Sequence, residues 1–218
     1  MTLRNTVKEG RMYILLVVLI SLSQYPLRAQ DFSTWANVGA SYEVAPAFAV
    51  TGGLEWRTMD NLGKTDRLGL EVGGVYTVLP FLKFGMGYEM HYRNRVGGWK
   101  FRHRYHVDGT VSVGVQQVKI SLRERFQANA AGDKSNPRLR SRLKLAYELR
   151  NSKIEPYVSV EMYNSLARAE HFDVKRMRYR GGIALPLSSR WEADVFYCRQ
   201  AEKEDDRNIV GIECNYKF

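Results

Sequence analysis

The stretch Val210-Gly211-Ile212-Glu213-Cys214-Asn215-Tyr216-Lys217-Phe218 alternates apolar and polar side chains up to an aromatic last residue. Successive side chains of an extended strand point to opposite faces, so Val210, Ile212, Cys214, Tyr216 and Phe218 share one face. An amphipathic strand with Tyr216 and Phe218 at its end reads as an outer-membrane insertion signal. Glu213 stands where many such signals carry glycine, with Gly211 two residues earlier.

Upstream, the same period of two recurs in segments of about 10 to 13 residues, longer than the roughly 5 to 6 of ordinary globular strands. They begin near Phe32, Phe48, Arg67, Phe81, Phe101, Val118, Leu139, Ile154, Arg176 and Trp191, and the last near Asn208. Segments of this length suit tilted strands that cross a bilayer. One phase is apolar, as in Leu82, Phe84, Met86, Tyr88, Met90 and Tyr92, and the other is polar, charged or glycine. Alternation alone does not say which phase faces inward, because a soluble barrel hides the apolar phase and a membrane barrel shows it to lipid.

Two further patterns decide for the membrane barrel. Short turns at Ala45-Pro46, Leu79-Pro80, Gln116-Gln117, Asn151-Ser152 and 186–189 alternate with longer polar stretches near 58–66, 94–99, 128–137, 164–174 and 201–207. Trp56, Tyr92, Trp99, Phe101 and Phe126 lie near the long connections, and Phe48, Phe81, Trp191, Tyr216 and Phe218 near the short ones, as two aromatic girdles. The expectation is an all-β, antiparallel transmembrane barrel of 10 to 12 strands. Eleven segments are visible, but bacterial barrels usually have an even count, so 12 is preferred.

Residues 1–29 join a basic start (Arg4, Lys8, Arg11) to the apolar run Met12 to Leu22 and a polar stretch ending in Ala29. This is the anatomy of a secretory signal peptide, cut before Gln30 or at the earlier site that Ser21-Leu22-Ser23 offers, with 30–218 as the barrel domain. The apolar run is too short for a spanning helix, and no cysteine at the cut supports a lipoprotein anchor. Removing four basic residues and one acidic residue lowers the formal charge from +10 to +7. The basic residues fall on alternate strand positions instead of forming a basic arm, so no nucleic-acid partner is expected. The expected partners are outer-membrane lipid and lipopolysaccharide and the barrel-assembly machinery, with a small anionic solute as candidate ligand. The two cysteines, Cys198 and Cys214, sit on opposite phases of the last two strands and read as free thiols.

The runs Trp99-Lys100-Phe101-Arg102-His103-Arg104-Tyr105-His106-Val107-Asp108, Leu122 to Gln127, Leu139 to Leu145 and Ile154 to Glu161 carry a family likeness. The chain resembles DUF2490, a family of Bacteroidetes outer-membrane-type proteins of unknown function. That resemblance covers most of the mature chain and implies a β-barrel from a source of that kind, without a catalytic residue.

On the polar phase, basic positions outnumber acidic ones. If Gln116-Gln117 is a two-residue turn, Val115 opposes Val118, Asp108 opposes Arg125 and His106 opposes Gln127. Arg102, Arg104, Arg123, Arg125, Arg140, Arg142 and Glu161 extend this lumen charge network. A lumen closed by paired charges and an anion-preferring pore both fit such a lining. Catalysis has weaker support. His91 and His106 lie on the lumen phase, His103 on the lipid phase and His171 in a loop, while Ser112, Ser121 and Ser141 lie in no recognisable nucleophile elbow. Metal motifs of the CxxC or HExxH type are absent and no cofactor is implied. The acidic run Glu202 to Asp206 reads as a solvated loop in preference to a calcium site. The sequence therefore points to a non-enzymatic outer-membrane barrel, structural or weakly pore-forming, with an anion-biased channel and a lipid-modifying enzyme as alternatives.

Overall fold

The computed structural model describes residues 32–131, 134–150, 152–167, 173–203 and 206–218. The leader and its cut, and His171, Glu204 and Asp205, lie outside the described residues. Eleven strands follow in chain order: β1 (Phe32–Ala45), β2 (Phe48–Met59), β3 (Lys64–Leu79), β4 (Leu82–Arg95), β5 (Gly98–Val115), β6 (Val118–Ala131), β7 (Lys134–Tyr147), β8 (Glu155–Ser165), β9 (Val174–Pro186), β10 (Trp191–Glu202) and β11 (Arg207–Lys217).

Each strand pairs antiparallel with its chain neighbours, and β1 closes the barrel against β11 in parallel, from Phe32 opposite Asn208 to Ser41 opposite Lys217. The count falls inside the expected 10 to 12, but the preference for 12 is corrected to eleven. Every connection reverses the chain, so an odd count leaves the first and last strands pointing the same way and makes the closing ladder parallel. In consequence β1 starts at one mouth of the barrel and β11 ends at the other.

The expected alternation of connection lengths is also corrected. Between strand ends, the mouth where β11 finishes carries connections of 2, 2, 2, 7 and 4 residues, and the mouth where β1 starts carries 4, 2, 2, 8 and 4. Two stretches that read as polar loops, 94–99 and 128–137, are mostly strand: β4 and β5 run to a turn at 96–97, β6 reaches Ala131 and β7 begins at Lys134. Their polar residues belong to the wall. Positive φ angles at Gln116 (57°) and Gly97 (89°) allow the tight reversals.

The orientation of the phases is now fixed. Apolar side chains stand outside, with Leu54 at 63% and Met86 at 66% exposed, whereas Arg67 (4%), Glu89 (6%) and His91 (3%) are buried within. A soluble barrel would show the reverse. The girdle residues stack on this outer face: Tyr92 on Trp99 at 4.9 Å, Trp191 on Tyr216 at 4.9 Å, and Tyr216 against Phe218 at 4.7 Å.

The one buried apolar cluster among the described residues is inside the barrel at its seam. Phe196, Cys198 and Ile209 form it, with Trp35 packed against them. Cys198 pairs in register with Ile209, while Cys214 faces outward opposite Ala193, and both thiols are free. Phe196 lies flat because its register partners on either side, Gly182 and Gly211, have no side chain. Arg180 stacks on the ring at 3.7 Å, and the residue is only 3% exposed, so the ring has little room to retreat. A methyl at Gly211 would overlap it. Gly211→Ala should therefore lower stability by about 1–3 kcal/mol in urea unfolding of the refolded barrel, and adding Phe196→Ala should relieve the overlap.

Candidate functional site

Alternation sends every second side chain of a strand into the lumen, and three of the inward carboxylates collect cations from neighbouring strands. Glu161 on β8 receives Arg140 of β7 at 2.9 Å, Arg123 of β6 at 3.2 Å and Arg178 of β9 at 3.6 Å, and accepts a hydrogen bond from Tyr163 at 2.8 Å. Glu55 on β2 is met by Arg57 and by Arg67 of β3 at 2.6 Å. Glu89 on β4 takes Arg104 of β5 at 2.7 Å and His91 Nε2 at 2.7 Å on the same oxygen, Oε2. A buried carboxylate left alone would be strongly destabilising, and shared guanidiniums supply both charge and hydrogen bonds. Asp108 forms a further pair with Arg125, whose Nε donates at 2.6 Å.

Towards the mouth where β1 starts, these pairs floor a chamber of about 360 Å³. Its wall carries eleven arginines and no lysine, with Asp66 and Glu202 as its only carboxylates among the described residues. Asp66 holds Arg93 and Arg95 at 3.3 and 3.0 Å, and Glu202 holds Arg176 at 2.8 Å. Trp35 stands in the same wall between the guanidiniums of Arg57 at 3.6 Å and Arg178 at 4.6 Å. A second chamber, about 300 Å³, opens towards the other mouth and is lined by small residues such as Gly39, Ser41 and Gly53 together with Glu71, Glu192 and Lys217. The two chambers thus differ in lining: among the described residues, eleven arginines surround the first and none the second.

Of the residues singled out in the sequence, Arg102, Arg104 and Arg140 line the arginine chamber. Arg123 and Arg140 meet on Glu161, Arg142 stands opposite Glu161 in register, and Arg125 stands opposite Asp108. His106 opposes Gln127 but turns to acidic neighbours on β3 and β4, with Nδ1 3.3 Å from Glu89 and Nε2 3.8 Å from Glu71. Tyr216 and Phe218 lie on the outer face among the aromatics. Sequence reading placed the wall residues Arg95 and Arg207 in loops, and did not single out Arg93 or Arg138, which flank the stretches it read as loops. Continuing the inward phase past His91 to Arg93 and Arg95 would have found two of them.

The serines and histidines are engaged separately. Ser112 and Ser121 hydrogen-bond each other at 2.9 Å, and Ser141 donates to Glu124 at 2.7 Å on the outer face. His91 and His106 face carboxylates, and His103 bonds the hydroxyl of Tyr88. Arg180, Glu213 and Lys144 complete the polar wall below, with Arg180 3.1 Å from Glu213.

The chain belongs to the DUF2490 family, proteins of unknown function, matched over residues 32–210. No curated protein matches it in sequence. Among solved structures it is similar to the translocator domain of the autotransporter NalP from Neisseria meningitidis, at 14% identity and a TM-score of 0.50, covering 94% of this chain and 95% of that one. It is also similar to the NanC porin, at 12% identity and a TM-score of 0.48, covering 80% of this chain and 93% of that one. The fold is that of outer-membrane β-barrels.

If Glu161 neutralises the cations gathered around it, Glu161→Gln should cost about 3 kcal/mol in urea unfolding, because several buried guanidiniums lose their counter-charge. Lys217→Gln, which breaks an ion pair whose side chains are 60% and 43% exposed, should cost less than about 1 kcal/mol.

Proposed function

We propose that this DUF2490 member sits in an outer membrane and, without catalysing a reaction, admits small organic anions to its arginine chamber, with the mid-lumen ion pairs limiting their passage. The observation that carries this reading is the wall of eleven arginines against two carboxylates around about 360 Å³. That volume lies within the roughly 300–1,000 Å³ typical of small-molecule sites. The use of arginine without lysine favours planar, fork-shaped acceptors such as carboxylates and phosphates, which a guanidinium meets with two parallel N–H groups. Glu55, Glu89 and Glu161 beneath the wall hold part of that charge in place, which argues for a narrow conduit rather than a wide pore. The apolar outer face and its aromatic girdles support residence in lipid.

The test is conductance of the refolded, full-length mature chain in planar bilayers, with the reversal potential read under a salt gradient. Small anion-selective openings are expected, and a small dicarboxylate should reduce the chloride current. Arg102→Glu changes the chamber by two charges, about 1 kcal/mol for an anion roughly 8 Å away in water, and should lower the anion preference about fivefold. A silent bilayer with insertion verified would overturn passage and leave a barrel closed by its ion pairs.

A further inference from the structure

Between the two chambers, Glu71, Glu89 and His106 approach from β3, β4 and β5, and one ligand atom from each lies within 4.8 Å of the others. Glu71 and Glu89 are register partners across the β3–β4 ladder, and like charges placed directly opposite repel. Arg104 and His91 both engage Oε2 of Glu89, so its Oε1 is left facing His106. The imidazole lies against the wall because residue 87 is glycine: a Cβ there would come within 2.7 Å of His106 Nε2. His106 is 6% exposed, and its Nδ1 makes no hydrogen bond of adequate geometry among the described residues. The buried imidazole thus presents one ring nitrogen to each of two opposed carboxylates, Nδ1 to Glu89 and Nε2 to Glu71.

We propose that Glu71, Glu89 and His106 bind one first-row divalent cation, with zinc as the best-matched ion, in the partition between the chambers. Imidazole with carboxylate oxygens suits zinc, whereas calcium and magnesium take oxygen ligands. Bonds of about 2.0–2.2 Å place ligand atoms roughly 3.3 Å apart around a shared ion, so modest rotation of Glu71 completes the site. Glu71 is free to rotate, its side chain being 41% exposed towards the second chamber, which also gives the ion its entry. The site is independent of whether the barrel conducts.

The experiment is calorimetric titration of the refolded full-length mature chain in detergent with zinc chloride, and with magnesium chloride for comparison. One zinc per barrel is expected, with no heat from magnesium. Glu71→Gln and His106→Ala should each weaken zinc binding about tenfold or more, with folding verified by circular dichroism. Absence of zinc heat from the folded parent, or unchanged affinity in the folded variants, would overturn the site. If His106→Ala does not fold, Glu71→Gln decides alone, since its side chain is the most exposed of the three. The heat is read without any current, so failure of this site and failure of anion passage are separate results.

Discussion

The charged interior of this barrel is arranged around the requirement that buried carboxylates share their guanidiniums. An ion withdrawn from water costs several kcal/mol even after relaxation, and one partner alone rarely offsets it. Glu161 solves this by drawing arginines from β6, β7 and β9, and Glu55 and Glu89 do the same across β2 to β5. Glu161 also ties together strands that share no ladder: Arg123 of β6 reaches it across β7, and Arg178 of β9 meets it from the other side. A shift of one residue in any of these ladders would turn the ionic phase outward into lipid. The charges therefore specify register at least as much as they stabilise it.

The seam obeys a different rule. Parallel pairing of β1 with β11 is slightly weaker per residue than antiparallel pairing, and here the interior switches from charge to the apolar group Phe196, Cys198, Ile209 and Trp35. Trp35 connects the two regimes, with its indole against the apolar cluster and two guanidiniums on its π system. Such contacts contribute about 0.5–2 kcal/mol each depending on desolvation. The seam thus gains from packing what it lacks in ladder geometry.

Much of the fold could be read in the sequence because a period of two survives in every strand, and eleven segments were visible as such. The final count was pulled towards 12 by the parity habit of bacterial barrels, which local alternation cannot test. The pairing of Asp108 with Arg125 was readable because Gln116-Gln117 is a two-residue turn from which one can count. The meeting of Glu71, Glu89 and His106 was not, since it depends on two successive registers and on the missing side chain of Gly87. The wall arginines at 95 and 207 were hidden for another reason. Where strands leave the membrane their outward phase ceases to be apolar, as at Asn94 and Asn208, and without that contrast a strand looks like a loop.

The odd strand count gives the molecule a polarity that even-stranded barrels lack. Hairpin connections alone carry the chain from one mouth at Phe32 to the opposite mouth at Phe218. A short peptide joining these two points outside the wall could not span the gap, so this topology resists circular permutation. By the same geometry, an epitope placed immediately before β1 and another placed after β11 would be presented to different compartments by a single polypeptide.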